Sequence, residues 1–277
     1  MSHSPKEEHP SMTAVNADAP HDWLASAPGQ RLLAFERTCF ARHLAGAFGY
    51  HALQLGLPAI DALAASPARH RWLALPDAAS AGVAPPSRLA LLAAPQALPF
   101  AAGSLDLIAL PHTLELCGDA HAALREVQRT LAPEGKVAIT GINPFSFWGW
   151  RHARARLWRR CGLHSAPWLA PDAALIAHWR LREWLQLLGF EVDALHLGCW
   201  LPALRREGTL ARFAWLDALG SHCAPAFGAV YFILATRRVY GMRQLPAAWR
   251  RPVPAFGSAA APSSAISGNA PQKASHD

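Results

Sequence analysis

Between residues 31 and 48 the apolar positions Leu32, Leu33, Phe35, Phe40, Leu44 and Phe48 recur at mostly helical spacing. That spacing predicts an N-terminal helix of about four turns over Arg31–Phe48, stopped by Gly49. The period then changes. His51–Gly56 is a short apolar run ending in glycine, with Pro58 beyond it, and His70–Leu75 and Arg88–Ala93 are two more runs bounded by proline or glycine. Runs of this length and punctuation predict buried strands.

A longer pattern follows. Ser104–Leu110 reads as a strand, and Asp119 caps a helix over Ala120–Leu131 with Leu124, Val127 and Leu131 on one face. Pro133-Glu134-Gly135 then makes a turn, and Lys136–Ile142 is a strand again. Strand, helix, turn and strand form a βαβ unit, whose strands must lie parallel with a right-handed crossover. A helix over His178–Leu188, closed by Gly189, and a strand over Phe190–Leu197 repeat the pattern. A last strand covers Gly228–Thr236. The expected fold is α/β, a doubly wound and mostly parallel sheet with an N-terminal helix. In such a sheet ligands sit at the carboxyl ends of the strands. The segments to inspect therefore follow Leu55, Leu75, Ala93, Leu110 and Ile142.

Polar, aperiodic ends are expected to be disordered over 1–21 and 251–277, leaving one domain over 22–250. Of the 277 residues 52% are hydrophobic and 16% charged, which excludes a mostly disordered chain. Every apolar stretch is broken well before the roughly 18 residues of a membrane span. The start of the chain lacks the apolar segment of a signal peptide. Five scattered cysteines, an odd number, argue against a disulfide framework and a structural zinc site, so a cytoplasmic home is expected. The net charge is +7, but 23 of the 26 basic residues are arginine in an Ala-rich chain, which a GC-rich genome explains without any anionic partner. The local cluster Arg151, Arg154, Arg156, Arg159 and Arg160 is different. It lies with Trp150, Leu157 and Trp158 on an expected helix and reads either as a surface for an anionic substrate, nucleic acid or lipid head group, or as a solvated helix face. Nucleic acid is the less favoured partner.

Ala97-Leu98-Pro99-Phe100, followed by Ser104-Leu105-Asp106, and Leu124-Arg125-Glu126 followed by Leu131-Ala132-Pro133-Glu134-Gly135, resemble the type 11 subgroup of class I methyltransferases that use S-adenosylmethionine. The motifs span residues 50–142, and the flanks Gly29–Glu36, Phe48–Gly56 and Gly141–Gly149 resemble a proteobacterial branch of it. The resemblance implies a Rossmann-like fold, S-adenosylmethionine as cofactor, and cofactor contacts from Gln54, Gly56, Asp77, Gln96, Leu98 and Leu110. The sequence departs from the family's pattern in three places. Of the family's glycine-rich loop only Gly56 remains, with Pro58 at a second glycine's place. Gln54 stands where strand one ends in a carboxylate, and Ala94 stands where an aspartate holds the adenine.

Methyl transfer needs an aligned acceptor and sometimes a base. His112, just past strand four, is the candidate base; its other reading is a residue lining the pocket or capping the loop. Glu115 is expected at the surface or in a loop. His112, Glu115, Cys117, Asp119 and His121 crowd together, but their spacing matches no metal motif. Asn143, Ser146 and Arg151, after strand five, are candidate substrate contacts. Two readings stand: a methyltransferase acting on an unidentified acceptor, or an inactive protein of the same fold that binds or regulates, with residues 150–160 touching an anionic partner.

Overall fold

The structure, a computed structural model, describes residues 26–76, 89–162, 173–200 and 225–239. The two ends expected to be disordered, and Asp77, lie outside the described residues. The described chain runs α1 (Ala27–Leu44), β1 (His51–Leu55), β2 (His70–Leu75), β3 (Leu89–Leu92), β4 (Leu105–Pro111), α2 (Thr113–Leu116), α3 (Ala120–Thr130), β5 (Leu131–Ile142), α4 (Phe147–Arg160), α5 (His178–Leu187), β6 (Phe190–Gly198), a 3-10 turn (Pro225–Phe227) and β7 (Val230–Arg237).

The seven strands form one sheet in the order β3-β2-β1-β4-β5-β7-β6. All pairs among β1 to β5 are parallel, and β7 runs antiparallel between β5 and β6. The chain winds outward from β1 to β3 and then returns to place β4 beside β1. The carboxyl ends of β1 and β4 therefore form the topological switch point.

Helices cover both faces, because strands this apolar must be buried on both sides. On one face α1 packs Leu32, Phe40 and Leu44 against Phe232 of β7 and against Leu57, Ile60 and Leu63 of the loop after β1. The Phe40 ring meets that of Phe232 edge-on at 5.3 Å. On the other face α3 and α5 bring Leu124, Val127, Leu181 and Leu185 onto Ile108, Val137 and Ile233.

Two expected boundaries move. The first helix starts four residues early, where Ser26 accepts a hydrogen bond from the Gly29 amide and Pro28 fits the first turn, and it ends at Leu44, before Gly46. Phe48, assigned above to its apolar face, is 91% exposed. The turn expected at Pro133–Gly135 is a bulged stretch inside β5, which pairs Leu105 with Leu131 and resumes with Leu107 opposite Lys136. Gly135 is required there, since a Cβ would lie 2.8 Å from Leu131 Cγ and 2.9 Å from the Ala132 carbonyl oxygen.

The two sequence motifs are halves of one tertiary contact. Glu126 of α3 accepts from the Leu98 amide at 2.9 Å, and Arg129 donates to the Leu98 and Phe100 carbonyls at 3.2 and 2.8 Å while pairing with Glu126. Asp106 accepts from the Tyr50 and His51 amides, fixing the start of β1 against β4.

Candidate functional site

The chain leaves β1 through Gly56, whose φ of +81° is a left-handed conformation that glycine adopts without steric cost. Its amide donates to Ala74 O at 2.9 Å. Thr113 closes the crevice between the two central strands by donating its hydroxyl to Leu55 O at 2.7 Å, and a Cβ on Gly56 would come within 3.0 Å of that hydroxyl oxygen. Gln54 holds the loop. Its amide donates to the Leu57 and Ile60 carbonyls at 3.0 and 2.6 Å and accepts from the Ala62 amide at 3.1 Å.

At the end of β4 the backbone turns into the left-handed region at His112, φ +51°. For a side chain other than glycine this costs on the order of 1–3 kcal/mol, and it persists only where the surroundings fix it. They do so here. The His112 amide donates to Thr140 O at 3.1 Å, its Nε2 lies 2.8 Å from Glu36 Oε1, and its Nδ1 is hydrogen-bonded to Glu115 Oε1. Glu115 extends the network by accepting from the Ile142 amide with its other oxygen, and its carbonyl accepts from the Ala174 amide. Glu36, His112 and Glu115 thus tie α1, β4, β5 and the 173–177 segment together, all three side chains being buried.

Burial alone would push the His112 pKa down, but the two flanking carboxylates and their hydrogen bonds outweigh it and raise the value to about 10. The ring, 1% exposed, is held between two carboxylates that favour its charged form. In this position His112 bridges Glu36 of α1 and Glu115 of α2, just past the end of β4. Glu115, expected at the surface, is buried beside it.

Glu36 was missed by the sequence reading, although a signal was present. It sits three and four residues from Leu33, Leu32 and Phe40, on the buried stripe of α1, where an unpaired carboxylate would be too costly to keep.

The other sequence candidates separate into structural roles. Leu98 and Leu110 are buried in the core on the α3 side of the sheet, and Gln96 is half-buried in a tight turn closed by the Ala97 amide donating to Ala94 O. Asn143 donates to the Ala226 and Gly228 carbonyls at 2.8 and 3.0 Å and accepts from the Phe145 amide, which fastens β5 to the entrance of β7. Ser146 is the N-cap of α4, donating to Asn143 O and accepting from the Gly149 amide. Arg151 is half-exposed on α4. Beyond the His112–Glu115 pair, the His/Cys/Asp/Glu crowd does not converge among the described residues. Asp119 caps α3 through the Ala122 amide, Cys117 donates to Leu114 O, and His121 packs on Trp184.

Comparison with known proteins agrees with this geometry. Residues 74–139 match the family model described as Methyltransferase domain. The described sheet has the fold of S-adenosylmethionine-dependent methyltransferases. It resembles one from Thermotoga maritima with TM-score 0.55 and 14% identity, covering 78% of this chain and 94% of that one, and one from Mesorhizobium loti with TM-score 0.51 and 12% identity, covering 74% and 100%. In sequence the chain is 36% identical over 146 residues to the uncharacterized protein YafS of Escherichia coli (strain K12). That alignment takes in 52% of this chain and 53% of YafS, so the chain spans about half the length of the curated relative it matches.

The two solved structures named above, which the chain resembles in fold, are methyltransferases dependent on S-adenosylmethionine. The backbone turn at Gly56 suits such a ligand, but the described side chains do not supply the contacts the resemblance leads one to expect. The Gln54 amide is spent on its own loop, and Ala94 offers no polar atom.

Proposed function

We propose that the protein is a methyltransferase that takes its methyl group from S-adenosylmethionine and passes it to an unidentified acceptor. The observation that carries this reading is the switch point itself. The β3-β2-β1-β4-β5-β7-β6 sheet places Gly56, in its left-handed conformation, at the carboxyl end of β1 beside the end of β4, within the fold of the methyltransferases named above. The motif joint between Leu98 and α3 adds support, because it lies inside the matched segment 74–139. His112 serves in this reading as a buried cation holding the end of β4, and the acceptor loses its proton to another group or to water.

A second reading rests on the Gln54 bonds and on Ala94: the protein keeps the fold to bind a partner and transfers no methyl group. Calorimetric titration of the full chain with S-adenosylmethionine and S-adenosylhomocysteine separates the two. Saturable binding supports the first, and Gly56→Trp, if circular dichroism shows it folded, should abolish it. A folded protein that gives no heat at millimolar ligand overturns the first reading and leaves the second.

A further inference from the structure

The helix α4 carries two apolar faces. One side buries Trp148, His152 and Ala155 against the domain. The opposite side displays Phe147, Trp150, Leu157 and Trp158, which are 63, 61, 58 and 43% exposed. At 100° per residue these four fall on one outward stripe, with Arg154 within it, Arg151 along one border and Arg160 beyond the other. No acidic residue occurs from Asn143 to Gly162. A solvated helix face would be polar outward, and an ordinary surface helix has a single apolar stripe.

We infer that this outward face of α4 is a docking surface for an anionic lipid bilayer, on which the protein sits as a peripheral guest. The chemistry fits a membrane interface. Indole, phenyl and leucyl groups enter the boundary between headgroups and acyl chains, while the bordering guanidinium groups remain at the level of the lipid phosphates. A 14-residue helix is about 21 Å long, so it lies along the surface and does not cross it. Single-stranded nucleic acid fits less well. The Arg154 guanidinium lies 4.9 Å from each of the Trp150 and Trp158 rings and covers the faces on which bases would stack. A second copy of the chain fits less well again, because a two-fold contact through this face would bring two arginine clusters together. The inference does not depend on methyl transfer, since it uses no residue of the β1–β4 edge.

The test is co-sedimentation of the full-length protein with vesicles of pure phosphatidylcholine and with vesicles containing about one-third phosphatidylglycerol, each at low and high salt. Binding is expected to the anionic vesicles, at least about tenfold weaker on the neutral ones, and weaker as salt rises. Trp150→Ser with Leu157→Ser, and separately Arg154→Glu with Arg160→Glu, change exposed side chains only. Each double variant should keep the wild-type melting temperature and lose at least tenfold in binding. The inference is overturned if wild type does not sediment with the anionic vesicles, or if both double variants bind as wild type does. It is equally overturned if the face instead binds polyuridylate in preference to vesicles, or holds together a lipid-free dimer that the variants dissociate.

Discussion

Replacing His112 with glutamine removes the positive charge between Glu36 and Glu115 and leaves the two carboxylates facing a neutral amide. Breaking a buried ion pair by deleting one partner costs about 3–5 kcal/mol. Raising the His112 pKa from 6.5 to about 10 gives a consistent figure, on the order of 5 kcal/mol at about 1.36 kcal/mol per pH unit. Because the folded pKa lies above the unfolded one, this stabilisation is complete below about pH 6.5 and is lost as pH rises through about 10. Urea denaturation of wild type and His112→Gln at pH 6, 8 and 9.5 reads both magnitude and sign. A loss of several kcal/mol is expected at pH 6, narrowing steadily toward pH 9.5. The difference between the two proteins is the quantity to follow, since Cys39 and Cys117, whose thiols burial raises to about 11, also titrate in the alkaline range in both. A variant within about 1 kcal/mol of wild type at pH 6, or a gap that does not change with pH, would refute the buried-imidazolium assignment.

Gly56→Ala should lose about 1–3 kcal/mol in the same denaturation assay, because alanine is strained at φ +81° and its methyl group crowds the Thr113 hydroxyl. Phe40→Ala should cost about 3–5 kcal/mol by opening a cavity against Phe232; a loss under 1 kcal/mol would mean that α1 does not pack on β7 as described. On the acid side, burial lowers the pKa values of His43, His152 and His178, so the unfolded chain binds more protons below about pH 6.5. Thermal melts should fall as pH drops from 6.5 to 5, and a melting temperature constant over that range would contradict this. Glu126→Ala should cost about 1–3 kcal/mol by leaving the Leu98 amide unpaired, with faster hydrogen exchange at that amide as the local readout.

Much of the sheet was legible from local signals. Apolar runs between Pro and Gly located β1, β2 and β3, and the strand–helix–strand series at 104–142 announced parallel pairing through its crossover. The α1 boundaries and the bulge in β5 were less so, because helix ends depend on caps and a turn sequence can be absorbed into a strand once its neighbour supplies hydrogen bonds.

For the candidate site the division is sharper. The sequence by itself determined the α/β class, the βαβ order, and which positions would stand at the carboxyl edge, since these follow from periodicity and handedness. The use of each side chain was decided only by tertiary structure, because a polar group's role depends on which donors and acceptors reach it. Gln54 could have gripped a ligand, yet three backbone groups of its own loop claim it. His112 stands just past β4 as a candidate base would, yet its Nε2 comes to 2.8 Å from Glu36, 76 positions away in the chain. Charge pairing across such a separation leaves only a faint trace in the sequence: a carboxylate on the wrong side of an amphipathic helix.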